Sequence, residues 1–225
     1  MAPGSLPMAE RSRPYRDDPI AEERPELLLF CGLAGLAGCI APLLAMAISV
    51  PVAEHDFVAD TISDLGRGPH HWIMDGGFYL NAAGLLALAI AGAHLHLGRT
   101  GWSVGVICLA FLALVITLVG IWDEFGTTSR TEDMSVHTQL TFALAPLYLA
   151  GPLAMAGGVA QVSPWMRPTF FVSAALWAVF AVAFKLAPDA YDGVLEKIAV
   201  AATLLWTVPL SLLFLRRGRA RMASD

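Results

Sequence analysis

Six long apolar stretches, parted by short charged segments, restrict this chain more than any other feature of its sequence. They run from about Leu27 to Ser49, Gly76 to Leu97, Trp102 to Trp122, Leu140 to Val159, Thr169 to Ala187 and Ile198 to Leu215. A helix needs roughly 20 apolar residues to cross the hydrocarbon core of a bilayer. Only 15% of the residues are charged, against about 25% in a soluble domain, and they gather between the stretches. The sequence therefore predicts an all-α, polytopic integral membrane six-helix bundle, with the lipid bilayer as its first partner. Residues 27–215 form the bundle. Residues 1–26, rich in Pro, Arg, Asp and Glu, read as a disordered cytoplasmic tail, and 216–225 as a basic cytoplasmic tail.

The first stretch is read as a span and not as a cleaved leader. It exceeds the roughly 7–15 apolar residues of a signal peptide and follows a long polar segment. Cys31, Cys39 and Cys108 all fall inside spans, where they read as apolar filler and form no disulfide framework.

Charge sets the expected orientation. Arg11, Arg13, Arg16, Arg24, Arg99, Arg167, Arg216, Arg217, Arg219 and Arg221 fall on one face, ten of the fourteen basic residues. The positive-inside rule then places both termini in the cytoplasm and the protein in the inner (plasma) membrane. Twelve of the nineteen acids lie on the opposite, outer face. Acids contribute little to topology, so their clustering reads either as solvated loop tips or as a site, with solvation the simpler reading. The outer loops are also the longer ones, and long loops held by rigid helices are where function tends to lie.

Within the spans, small residues recur at i, i+4: Ala34, Gly38 and Pro42; Gly35 and Cys39; Ala83, Ala87 and Ala91. Such rows let helices approach closely in lipid. Pro42, Pro146, Pro152 and Pro209 are expected to kink their helices, and the pair Pro146/Pro152 to open space between helices.

The polar residues that stand out lie near the outer face. Ser63 and Asp64, followed by Gly66, form a cap or turn signature. Asn81 is an amide inside the second span, where it needs a partner from another helix. Asp123 and His137 sit at facing ends of two spans joined by one loop. They read as a closing hydrogen-bonded pair, or as a proton-transfer pair or part of a metal site. Glu196, beside Lys197, is either an interfacial residue or part of the acidic face. The candidate outer-face polar site is thus Ser63, Asp64, Asn81, Asp123, His137 and Glu196, and Asp64, Asp123 and His137 are expected in one cluster. No metal site is specified, no cofactor can be named, and no nucleic-acid partner is expected. A hydrolase elbow, a zinc-protease motif, a phosphate-binding loop and a haem-attachment motif are all missing.

Several segments carry a family resemblance. They are Thr61-Ile62-Ser63-Asp64-Leu65-Gly66; Phe78 to Gly84; Gly120-Ile121-Trp122-Asp123 with His137; and Gly193-Val194-Leu195-Glu196-Lys197-Ile198 with Trp206. Over roughly residues 27 to 215 the chain resembles the bacterial and archaeal membrane proteins called domain of unknown function 998. The resemblance implies the six-helix bundle and the loop assignments and brings no reaction with it. The chain departs from that pattern at Asp123, which follows Trp122 where the family has an aromatic-Pro pair. Three functions remain open: binding of a lipid or a membrane-protein partner; a lipid hydrolase or transferase using outer-face Ser, Asp and His; and a small transporter. Ionisable residues near span ends and not deep within them weigh against the transporter.

Overall fold

The structure, a computed structural model, describes residues 23–97, 100–125 and 135–223, without the side chains of residues 123–125. The helices are α1 (Pro25–Ser49), α2 (Ile62–Leu65), α3 (His71–His94), α4 (Thr100–Phe125), α5 (Val136–Val162), α6 (Met166–Leu186) and α7 (Asp192–Met222). All but α2 are long and apolar enough to cross a membrane. The chain is a multi-pass, all-helical membrane protein.

Each long helix packs on its neighbours in a closed ring, in the order α1, α3, α4, α5, α6, α7 and back to α1. In lipid, helices gain nothing by hiding apolar surface from water, so close packing and interhelical hydrogen bonds hold the ring. One of its close crossings is between α1 and α3. A Cβ built on Gly38 would lie 2.7 Å from the Gly84 Cα and 2.8 Å from the Leu80 carbonyl oxygen. Beside this crossing the Asn81 amide donates to the Gly38 carbonyl at 2.9 Å. The expected row on the second span is only partly used: Ala87 and Ala91 are buried while Ala83 is exposed, and Gly84 makes the approach. The spacing was right in kind, but the crossing angle of two helices selects one residue from such a row.

Other seams are fastened by single polar groups. Trp102 donates to the Gly92 carbonyl (2.6 Å), joining α3 and α4. Trp177 donates to the Ala145 carbonyl (3.2 Å) between α5 and α6, and Ser173 to the Ala202 carbonyl (2.7 Å) between α6 and α7. A buried indole or hydroxyl costs free energy unless it finds such an acceptor. Trp206 and Phe170 meet edge-on, 6.2 Å between centroids, in the middle of the core.

The two ends of the ring differ. At one, the start of α1 meets the end of α7: Glu23 accepts from Arg217 at 2.8 Å and from Arg221 at 3.0 Å. The bond from Arg217, with the charge of both guanidiniums, holds the Glu23 carboxyl at about 2, well below its usual range, against the opposing effect of burial. Helix α7 runs on to Met222, so the basic segment expected as a tail is helical as far as that residue. Residues 1–22 of the expected N-terminal tail lie outside the described residues.

At the other end the connection 50–70 folds back over the ring, and α7 holds it. Lys197 is buried, and its Nζ donates to the carbonyls of Phe57 (3.1 Å), Asp60 (2.7 Å) and Gly193 (3.3 Å). Its ammonium also lies 4.8 Å from the centroid of the Phe57 ring. Gly193 and Val194 donate their backbone N–H groups to the carbonyls of Ala59 and Val58. A Cβ on Gly193 would fall onto the Asp60 carbonyl oxygen, so a side chain there would push the loop away.

Candidate functional site

Three short-range devices place the polar side chains at this loop-covered end. Thr61 and Asp64 form a capping box around α2: the Thr61 Oγ1 accepts from the Asp64 N–H, and the Asp64 carboxylate accepts from the Thr61 N–H at 2.8 Å. This fixes the single turn of α2, with Ile62 and Leu65 buried beneath it. Ser135 caps α5 by accepting from the Thr138 N–H, which sets His137 in the first turn. Glu196, one turn into α7, accepts from the Ile62 N–H at 2.6 Å and so ties α2 to α7.

The result is a meeting of α2 and α5. Ser63 Oγ and His137 Nε2 lie 3.1 Å apart, within hydrogen-bond distance. Both face a cavity of about 560 Å³ inside the ring, with walls supplied by all six long helices. Its rim carries Thr61, Ser63, Arg67, His137, Lys185, Glu196 and Lys197. Below the rim the lining turns apolar, with Met46, Met74, Phe78, Ile116, Val119 and Leu144 among its residues. At depth lie Tyr148 and Trp177, whose rings meet at 4.6 Å between centroids. Tyr148 is twelve residues into α5, or roughly 18 Å of helix below its start, so the cavity reaches towards the middle of the membrane. Pro42 lines it, as do Leu144 and Ala145 just before Pro146; Pro152 is buried outside the lining.

The residues singled out from sequence divide accordingly. Ser63, Asn81, His137 and Glu196 all line the cavity. Asn81 does so while spending its amide on Gly38. Asp64 belongs to its own cap and to an ion pair with Arg67 at 3.6 Å, and it is Ser63 that meets His137. The Asp123 side chain, with Glu132 and Asp133 of the same loop, lies outside the described residues. Arg67, Lys185 and Lys197 line the same space; of these the sequence points only to Lys197, as the neighbour of Glu196, because a lone cation in a loop or near a span end carries no motif.

Two acids of the first loop, Asp56 and Asp60, hold its backbone in place. Asp56 accepts from the Val58 and Ala59 N–H groups at 2.8 and 3.2 Å, and these bonds lower its carboxyl pKa. Asp60 accepts from the Asp56 N–H at 2.7 Å. Each carboxylate replaces a backbone acceptor that an irregular loop cannot supply. His55, its side chain buried beside Asp60, is held below its usual pKa first by burial and then by the charge of Lys197. Among the described residues, no three His, Cys, Asp or Glu side chains are grouped to hold a metal ion.

No curated protein and no solved structure matches the chain. A family model described as "Protein of unknown function (DUF998)" matches residues 36–213, which take in most of the ring of helices, α2 and every described residue of the cavity. The chain belongs to the DUF998 family, membrane proteins whose function is unknown.

Proposed function

We propose that this protein binds a single-chain amphiphile, holding the chain in the cavity and the polar head at the rim. The observation that carries the reading is the polarity gradient of one concave space: hydroxyls, an imidazole, a carboxylate and cations at the rim, and mostly apolar side chains below, with Asn81, Thr141, Thr203 and Tyr148 among them. Ligand sites are typically concave and mostly apolar, with a few convergent polar groups, and measure roughly 300–1,000 Å³. The cavity falls inside that range. An apolar space opening among helix ends in a membrane is also reached most readily by a molecule already dissolved in lipid.

Trp177 in the lining gives a direct readout. A bromine-labelled long-chain amphiphile is expected to quench it saturably and to be displaced by the unlabelled compound. Trp177→Phe removes that saturable component. Ala181→Phe, which puts a ring into the cavity, is expected to weaken binding at least tenfold while the protein elutes normally from a sizing column. If quenching rises linearly with label in wild type and in Ala181→Phe alike, the cavity holds no amphiphile.

The Ser63–His137 contact supports a second reading, acyl transfer or hydrolysis of a lipid ester. The Ser63 Oγ would attack the ester carbonyl and pass its proton to His137 Nε2. The imidazolium would return that proton to the departing alcohol, and water would release the acid by the same steps reversed. A hydroxyl within reach of an imidazole is the arrangement such chemistry needs. A fluorophosphonate that labels activated serines is expected to modify Ser63, with His137→Ala slowing labelling by about 100-fold or more. Labelling of Ser63 no faster than of other serines would leave the contact as a tie between α2 and α5.

A further inference from the structure

We infer that the occupant of the cavity carries an anionic head and reaches it sideways from the bilayer, through a portal between α5 and α6 guarded by Lys185. The inference rests on the amphiphile-binding reading and narrows it to oxyacid heads, carboxylate or phosphate, on a lipid drawn from the membrane.

The portal is visible in residues that belong to two surfaces at once. Phe142 of α5 and Val182, Lys185 and Leu186 of α6 line the cavity. The same residues are exposed on the outside of the ring: Phe142 at 47%, Val182 at 57% and Leu186 at 79%. A side chain that faces both the interior and the surroundings marks an opening. This opening lies in the seam between α5 and α6, the least extensive contact between sequential neighbours in the ring. It sits near the loop-covered end of that seam, in the last turns of α6 and the second turn of α5, and its apolar flanks suit a chain sliding in from the bilayer.

Lys185 spans the opening. Its Nζ stands 5.2 Å from the centroid of the Phe142 ring on α5 and 4.4 Å from that of Phe184 on α6. Among the described residues it makes no ion pair and no hydrogen bond to a carbonyl, unlike Lys197, whose three carbonyl contacts commit it to the loop. Two aromatic faces hold a cation weakly enough to release it to an anion. Arg67, half-engaged with the exposed side of Asp64 at 3.6 Å, stands on the same rim. Glu196, the one carboxylate among the described residues that line the cavity, already accepts from the Ile62 N–H. The rim therefore offers two cations and several hydroxyl donors to an incoming head, and a negative head makes the better match.

The test compares a bromine-labelled fatty acid with its methyl ester in phosphatidylcholine nanodiscs at about pH 9, where the carboxyl is ionised even at a lipid surface. Quenching of Trp177 reports binding of both. Lys185→Met is expected to weaken the acid about fivefold to tenfold and to leave the ester unchanged, and Lys185→Arg to restore the acid. Retained ester binding also shows that the cavity is intact in the variant. An alkyl phosphate of equal chain length is expected to follow the acid. Equal weakening of acid and ester, no change, or tighter acid binding overturns the anionic-head assignment while leaving the cavity reading standing. Absence of saturable binding by acid and ester alike, in wild type, overturns both.

Discussion

Replacing Gly38 with valine is expected to drive α1 away from α3 and leave little correctly assembled protein. The added carbons have nowhere to go. The first would already sit 2.7 Å from the Gly84 Cα and 2.8 Å from the Leu80 carbonyl oxygen, and the reciprocal Cβ on Gly84 would lie 2.8 Å from the Gly38 Cα. These obstacles are backbone atoms, so no rotamer change relieves the clash. The helices must separate, and separation also breaks the Asn81 bond to the Gly38 carbonyl. Overpacking a fitted interior costs about 1–3 kcal/mol per site. Here a whole interface opens, and in lipid that interface is held mainly by close packing. Gly38→Ala is expected to lower the thermal midpoint in detergent substantially, and Gly38→Val to yield mostly aggregate on a sizing column. A valine variant that elutes and melts like wild type would show that the crossing is looser than described.

Lys197→Met is expected to be the next most damaging change, with its effect concentrated in residues 50–62. The methionine fills the space but donates nothing, leaving the carbonyls of Phe57 and Asp60 without their Nζ donor. Hydrogen bonds to charged groups contribute about 1.5–3 kcal/mol each, and orphaned carbonyls add their desolvation. A loss of about 3 kcal/mol is a fair scale for the whole site. Because the loop carries α2, its release also withdraws Ser63 from His137. Hydrogen exchange is the sharpest readout: amides from Phe57 to Leu65 are expected to exchange much faster, while those of α3 and α4 stay protected. Uniform acceleration across all helices would mean that Lys197 supports the ring as a whole. Unchanged exchange in the loop would mean that it supports neither.

These two residues also mark how far the sequence could be read. Gly38 was recognisable as a packing residue because small residues at helical spacing have few other uses inside a span. Its partner was not, since any of several small residues on the second span fits the same spacing. Lys197 was legible only as the neighbour of Glu196 at the start of a span, in a candidate interfacial pair. Its actual acceptors are loop carbonyls about 140 residues earlier in the chain, and backbone acceptors leave no mark on a residue pattern. Ser63 and His137 were chosen separately, one as a cap and one as the partner of an aspartate. That they meet depends on where α2 is carried by the folded loop.

The chain alone determined that it crosses a membrane with six helices, because the length and apolarity of each span answer to bilayer thickness and to the backbone's need for internal hydrogen bonds. It placed the helix ends less closely: the sixth apolar stretch marks a span from about Ile198 to Leu215, whereas α7 runs from Asp192 to Met222, because polar turns continue a helix beyond its apolar stretch. Only the tertiary structure decided that the helices close into a ring around a cavity. Apolarity tells a residue to leave water, but in lipid it does not say which side of the helix faces lipid and which faces its neighbours. Phe30 and Phe170 are equally apolar, and one is 69% exposed while the other is buried completely. What distinguishes them is the shape of the neighbouring helices.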